Sequence, residues 1–261
     1  MVRKARILTA IVGCLLAFTC SCGTKEESAP STPAAAQAGS GTAFNPSMGT
    51  AVISGKATFE GTPPAMREIK MDADPVCVSM HAQPIRSEEI VVSDGNLANV
   101  FVYVKEGLEK YTFTPPSAPA ELNQEGCSYK PHVGGIMVGQ VLKIINSDPT
   151  THNVHCTAEN NPQFNLGQAL KGMEATRKFS HPEVMVHFKC DVHKWMSAYL
   201  GVLPHPYFSV TGKDGTFSLK NLPPGDYVIE AWQEKLGAQT QKVTVGDKET
   251  KEINFSFRAP S

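Results

Sequence analysis

The amino-acid sequence predicts an all-β protein, on three observations. Apolar and polar residues alternate with period two in short runs, and Gly, Pro, Asn and Asp cluster between the runs. No stretch beyond residue 50 sustains a helical period. Many short strands with this punctuation indicate a β-sandwich.

The first 22 residues stand apart from that pattern. Arg3, Lys4 and Arg6 precede an apolar run over 7–18 that is short for a membrane span, and small residues follow, the layout of an export signal. Ala17-Phe18-Thr19-Cys20-Ser21-Cys22-Gly23 resembles the lipobox of bacterial lipoproteins, in which a Cys becomes the acylated first residue. Ser21 suits cleavage before Cys22 better than Thr19 suits cleavage before Cys20, and an ordinary cleaved signal is the alternative. The resemblance implies a bacterial envelope protein, lipid-anchored and periplasmic or on the outer surface. Residues 23–49 are rich in Ala, Pro, Ser and Gly and read as a flexible linker, since such a composition buries too little apolar surface to offset ordering entropy. As a coil its ends would lie roughly 30 Å apart.

Strands are expected over 52–59, 90–92, 99–104, 141–145, 184–190 and 198–203. In 184–190 the period places Val184, Val186, Phe188 and Cys190 on the core face, with His187 and Lys189 facing solvent.

That strand delivers Cys190 to the loop Cys190-Asp191-Val192-His193-Lys194-Trp195-Met196, and the distant His152 follows Asn146-Ser147-Asp148. A thiolate, two imidazoles and a thioether are the ligands of a trigonal copper site with a weak axial Met. Thiolate and thioether favour Cu(I) and imidazole suits Cu(II), so one such site accepts both states with little rearrangement. Zinc is the other metal to weigh, but its structural sites do not use Met. The order Asn146-x-Asp148, His152-Asn153-Val154, then C-x-x-H-x-x-M resembles the plastocyanin and amicyanin group of cupredoxins, with the loop spacing of amicyanin. The resemblance implies a Greek-key cupredoxin sandwich and one type 1 (blue) copper ion. His152, Cys190, His193 and Met196 would be its ligands, and Asn153 would hydrogen-bond the ligand loop. In that family the edge of the second His is the electron port, ringed by apolar residues, and Trp195 would belong to the ring.

Four cysteines remain after Cys22. In an oxidising compartment Cys77 and Cys127 are candidates for a disulfide, Cys190 being reserved for copper, though Cys156 stays an alternative partner. His81 and His132 lie close in sequence to Cys77 and Cys127, and a second metal there is the lesser reading. His155 is a neighbour of the site rather than a ligand, and His181 and His205 precede prolines in turns.

Residues 207–232 open a second unit. Asp214-Gly215 signals a hairpin and Leu222-Pro223-Pro224-Gly225 a turn between alternating strands, with later strands over 239–245 and 252–257. This resembles the prealbumin-like carboxypeptidase regulatory domain, and Ile53 to Gly61 resembles the opening strand of the same domain. The expected organisation is a signal over 1–22, a linker over 23–49, a cupredoxin-like domain over 50–205 and the regulatory-like module over 206–261. Residues 50–72 pair instead with the C-terminal strands if the copper unit is inserted between them.

Charge is balanced, with 24 Lys plus Arg against 25 Asp plus Glu, and nothing points to nucleic acid. No G-x-S-x-G, H-E-x-x-H or phosphate loop is present, so no enzyme is expected. The sequence thus reads as a membrane-tethered electron carrier with a redox partner such as a c-type cytochrome or dehydrogenase. The alternatives are copper delivery, or carbohydrate or protein binding at the envelope with a structural metal.

Overall fold

The alternating runs become strands that pack as layered sheets in a computed structural model that describes residues 41–259. The expected signal with Cys20 and Cys22, and linker residues 23–40, lie outside the described residues. No helix among the described residues is long and apolar enough to cross a membrane.

One sandwich carries the predicted ligands. Its first sheet runs Glu174–Arg177, Leu142–Asn146, Ala120–Gln124, Tyr129–Lys130. Its second runs Phe164–Gln168, His152–Cys156, Glu183–Lys189, Ser197–Leu203, Val133–Met137. Leu122, Leu142 and Ile144 from one sheet meet Val154, Val186, Phe188 and Leu200 from the other in a single core. Each of these strands points alternate side chains inward, so burial of one face fixes the register.

The other sandwich gathers distant parts of the chain. Ala51–Glu60 pairs antiparallel with Thr216–Leu222 and parallel with Thr250–Glu252 and Phe255–Arg258. Facing it, Phe101–Glu106 lies between Phe208–Val210 and Gly225–Gln233. The sheets therefore do not follow a division at residue 205. Residues 51–60 and 92–106 join the C-terminal strands, and the ligand-bearing strands begin at Ala120. The physical reason is that period-two patterning reports which face of a strand is buried, not which sheet it enters.

Phe101–Glu106 shows why the two sandwiches adhere. Val102 and Val104 sit in the C-terminal core, while Phe101 and Tyr103 point the other way and pack with Val133 and Leu203. Gly135 and Gly201 are paired across adjacent strands at this contact. A Cβ on Gly201 would come within 2.4 Å of the Phe101 ring, and one on Gly135 within 2.4 Å of Phe208. The two glycines thus form a flat seat for the stacked Phe101 and Phe208 rings, whose centroids are 5.4 Å apart.

Two expectations are corrected locally. Val184 is 37% exposed while Glu183 is buried, because the register shifts between Glu183 and Val186. The bulge turns Glu183 inward, where it accepts the N–H groups of Glu159 at 2.6 Å and Asn160 at 3.0 Å, and alternation resumes with Val186, Phe188 and Cys190 buried. The linker also ends earlier than residue 49. Thr42–Ala43 pairs with Tyr111–Thr112, and Phe44, a lone aromatic in a polar stretch, packs against Tyr111, Phe113 and Tyr207.

Candidate metal centre

Asn146 begins the site. Its side-chain amide donates to the Thr150 carbonyl at 2.9 Å and the Gln168 carbonyl at 3.0 Å, and its Oδ1 accepts the Asp148 N–H at 3.0 Å. These bonds shape the turn that feeds His152–Cys156, with His152 and Val154 fully buried.

Asn153 then joins that strand to the loop after Glu183–Lys189. Its Oδ1 accepts the N–H of Asp191 at 2.7 Å and of Val192 at 3.4 Å, and lies 3.2 Å from Cys190 Sγ. The loop closes on itself: Cys190 N–H donates to the Met196 carbonyl at 3.2 Å and Met196 N–H to the His193 carbonyl at 2.9 Å. His193 N–H donates to Cys190 Sγ at 3.3 Å. Backbone donors aimed at sulfur stabilise a thiolate.

The result is convergence. The ligand atoms of His152, Cys190 and His193 all lie within 4.8 Å of one another, and all three residues are buried. Met196 is buried in the same apolar cluster as Cys190. The structure thus brings the expected imidazoles and thiolate together, with Met196 in the loop that carries two of them.

Two carboxylates finish the arrangement. His152 Nε2 is 2.9 Å from Asp148 Oδ2, and His193 Nε2 is 2.9 Å from Asp74 Oδ2. Asp148 is itself held by the N–H groups of Gly126 at 2.8 Å and Cys127 at 2.7 Å. Asp74 caps the short helix Pro75–Ser79 through the Val76 N–H at 2.8 Å and takes the Thr150 hydroxyl at 2.9 Å. When both Nε2–H groups donate to carboxylates, both Nδ1 atoms are left as acceptors. Those two Nδ1 atoms face each other at 2.8 Å. Only a cation resolves two facing lone pairs. It is a proton or a metal ion, and the Cys190 sulfur alongside is a soft donor that suits a soft metal. The donor set therefore fits copper.

The charges agree. Burial opposes a cation on His152, but the Asp148 carboxylate and Cys190 raise its pKa to about 9. Burial opposes the Cys190 thiolate, yet His152 and the backbone donors bring its pKa below the ordinary value. His193 is lowered, by burial first and by the charge on His152. Asp148 and Asp74 are both lowered despite burial, Asp148 chiefly by His152 and Asp74 by Thr150.

Cys77 and Cys127 form the expected disulfide, with Cα atoms 5.7 Å apart. Cys127 donates to Asp148 and Cys77 belongs to the helix that Asp74 caps, so one bond joins the supports of both imidazoles. Trp195 donates its indole N–H to the Cys127 carbonyl at 3.0 Å and lies 4.9 Å from the His193 ring, centroid to centroid. The edge of His193 is not open: the residue is 2% exposed, and Asp74 and Cys77 Sγ, at 3.8 Å, cover Nε2.

Sequence reasoning missed Asp74. Its signal was Asp-Pro at a helix start, but the tertiary contacts that bring it to His193, the disulfide and the Thr150 hydroxyl, lie far off in sequence. His187 is half-buried rather than solvent-facing, stacked on Tyr199 at 4.8 Å with Nε2 2.9 Å from Ser197 Oγ. His132 pairs with Glu234, and His155 pairs with Asp191 beside Cys190 rather than joining the ligand group. His81 contacts the Gly126 carbonyl, and His205 is buried against the Val104 carbonyl. Cys156 is free and buried.

No family model matches the chain, and no curated protein matches it. Solved structures resemble it in part. A copper-containing nitrite reductase from Thermus scotoductus SA-01 does so at TM-score 0.32 and 19% identity, over 36% of this chain and 26% of that one. A purple cupredoxin from Nitrosopumilus maritimus gives TM-score 0.28 and 20% identity, over 32% of this chain and 98% of that one. An oxidized amicyanin variant gives TM-score 0.30 and 16% identity, over 39% of this chain and 97% of that one. These structural neighbours are cupredoxins matched at low similarity over part of the chain, and the metal argument rests on the geometry of the site rather than on them.

Proposed function

We propose that this protein is a one-electron carrier built on a single type 1 copper ion. The observation that supports it most is the pair of carboxylate-held imidazoles whose Nδ1 atoms face each other at 2.8 Å beside a thiol with a lowered pKa. Bound there, copper would supply a reversible one-electron couple. His152, Cys190 and His193 would hold it, with Met196 as the weak axial group.

The chain's own residues support that role by rigidity. Asn153 and the loop bonds hold the thiolate, while Asp148 and Asp74 hold the imidazoles. A site held from every side changes little between oxidation states, which is what electron transfer needs. The same burial disfavours copper delivery, which calls for an accessible ligand.

We extend the reading to a lipid-anchored envelope protein, through Cys22 or Cys20, that exchanges electrons with a c-type cytochrome or dehydrogenase and catalyses no reaction itself. The C-terminal sandwich, with its resemblance to a regulatory domain, serves as scaffold.

Copper(II) titration tests the central claim. An intense thiolate-to-copper band in the visible should saturate at one equivalent, bleach reversibly with reductant and vanish in Cys190→Ser. A protein that binds copper with no such band would overturn the type 1 assignment.

A further inference from the structure

The His193 ring also has an aromatic neighbour on its own loop. This is Trp195, which together with Met196 lines a cleft of about 340 Å³ between the ligand loop, the 67–89 segment and the 234–235 turn. That volume suits a small organic molecule.

The wall charges are not balanced. Glu89 is engaged by Lys235 at 2.8 Å and Arg67 at 3.7 Å, and Glu234 by His132. Arg86 and Lys194 also line the cleft, both are exposed, and neither forms an ion pair among the described residues. Glu88 is the remaining acidic group on the wall, and Lys189, 4.0 Å from Asp191, adds a further cation. Trp195 and Tyr199, both half-buried, supply aromatic surface on the same wall. Cations around aromatic faces select a planar anion: the charge meets Arg86 and Lys194 while the ring stacks.

We propose that this cleft binds a small planar organic anion, an aromatic or conjugated carboxylate or phenolate, against Trp195 and between Arg86 and Lys194. Its use rests on the copper reading, because it brings a redox-active molecule within one aromatic ring of His193. The binding itself does not need the metal.

The probe is 4-hydroxybenzoate, with the uncharged 4-hydroxybenzamide as its control, titrated into the metal-free protein and followed by the indole N–H resonances. The chain has two tryptophans, so Trp232→Phe assigns the Trp195 signal. The expected result is a saturable shift of Trp195 with the benzoate and none with the amide. Affinity should fall about tenfold in Lys194→Glu and further when Arg86→Glu is added, and should weaken with salt. Both positions are exposed, and an unchanged thermal midpoint checks that the variants fold. A shift that does not saturate, that the amide reproduces, or that both charge reversals leave intact would overturn the proposal. Because the titration uses metal-free protein, a failed copper assignment leaves its outcome readable.

Discussion

Asp74 is the residue on which the metal reading turns, because it meets His193 Nε2 from 119 positions away. Carboxylates that orient ligand histidines typically matter about 10- to 100-fold to metal affinity. Asp74→Asn should therefore weaken copper binding by about that factor while the Cys190-dependent band persists, as a chelator competition would measure. A second residue carries a pH dependence. Burial pushes the His205 pKa down to about 4, against an ordinary 6.5. The unfolded chain then takes up a proton, as pH falls below 6.5, that the folded chain refuses. Stability is lost as pH drops from about 6.5 towards 4, on the order of 3 kcal/mol in all. His205→Gln should cost stability at pH 7 by losing the imidazole's packing and the Nδ1 acceptor for the Tyr207 N–H, yet show a flatter profile below it. Urea midpoints for both proteins across that window decide the matter, and parallel profiles would refute the buried neutral imidazole.

At the level of elements, the contact between sandwiches depends on the two paired glycines. Adding a methyl group at Gly201 drives it into the Phe101 ring, and overpacking of this kind typically costs about 1–3 kcal/mol. Gly167, on an outer strand, has nothing within 4 Å of its would-be Cβ, so Gly167→Ala should stay within about 0.5 kcal/mol of the parent. Chemical denaturation of the two variants gives the comparison. The strands themselves were largely legible, since alternation in 52–59 and 198–203 marks real strands Ala51–Glu60 and Ser197–Leu203. Val133–Met137 and Phe164–Gln168 were not, because Gly-rich or polar strands carry little alternation. The bulge at Glu183 was hidden too, since a shift of one residue reverses the faces without changing the composition.

For the whole molecule, the disulfide is the covalent tie between the 71–80 segment and the ligand-bearing sandwich. It closes a loop of sequence separation 50, which in the chain-entropy model corresponds to about 4 kcal/mol. Replacing both cysteines by Ala should lower the denaturation midpoint of the metal-free protein. It should also shrink the further stabilisation that copper confers, because Asp74 and the donor to Asp148 lose their common anchor. Equal copper-induced stabilisation in the two proteins would show that the disulfide supports the fold alone.

The nearness of Cys190 and His193 was readable because it is local: they lie three apart in one loop, with Met196 three further on, so spacing alone keeps them close. Asn153 and the Cys77–Cys127 pair were readable by resemblance and by redox compartment. The carboxylates behind the imidazoles, the covered His193 edge and the membership of Phe101–Glu106 in the far sandwich were decided only by tertiary structure. Each depends on contacts between segments far apart in the chain, and the period of a strand carries no information about which distant segment will bury its face.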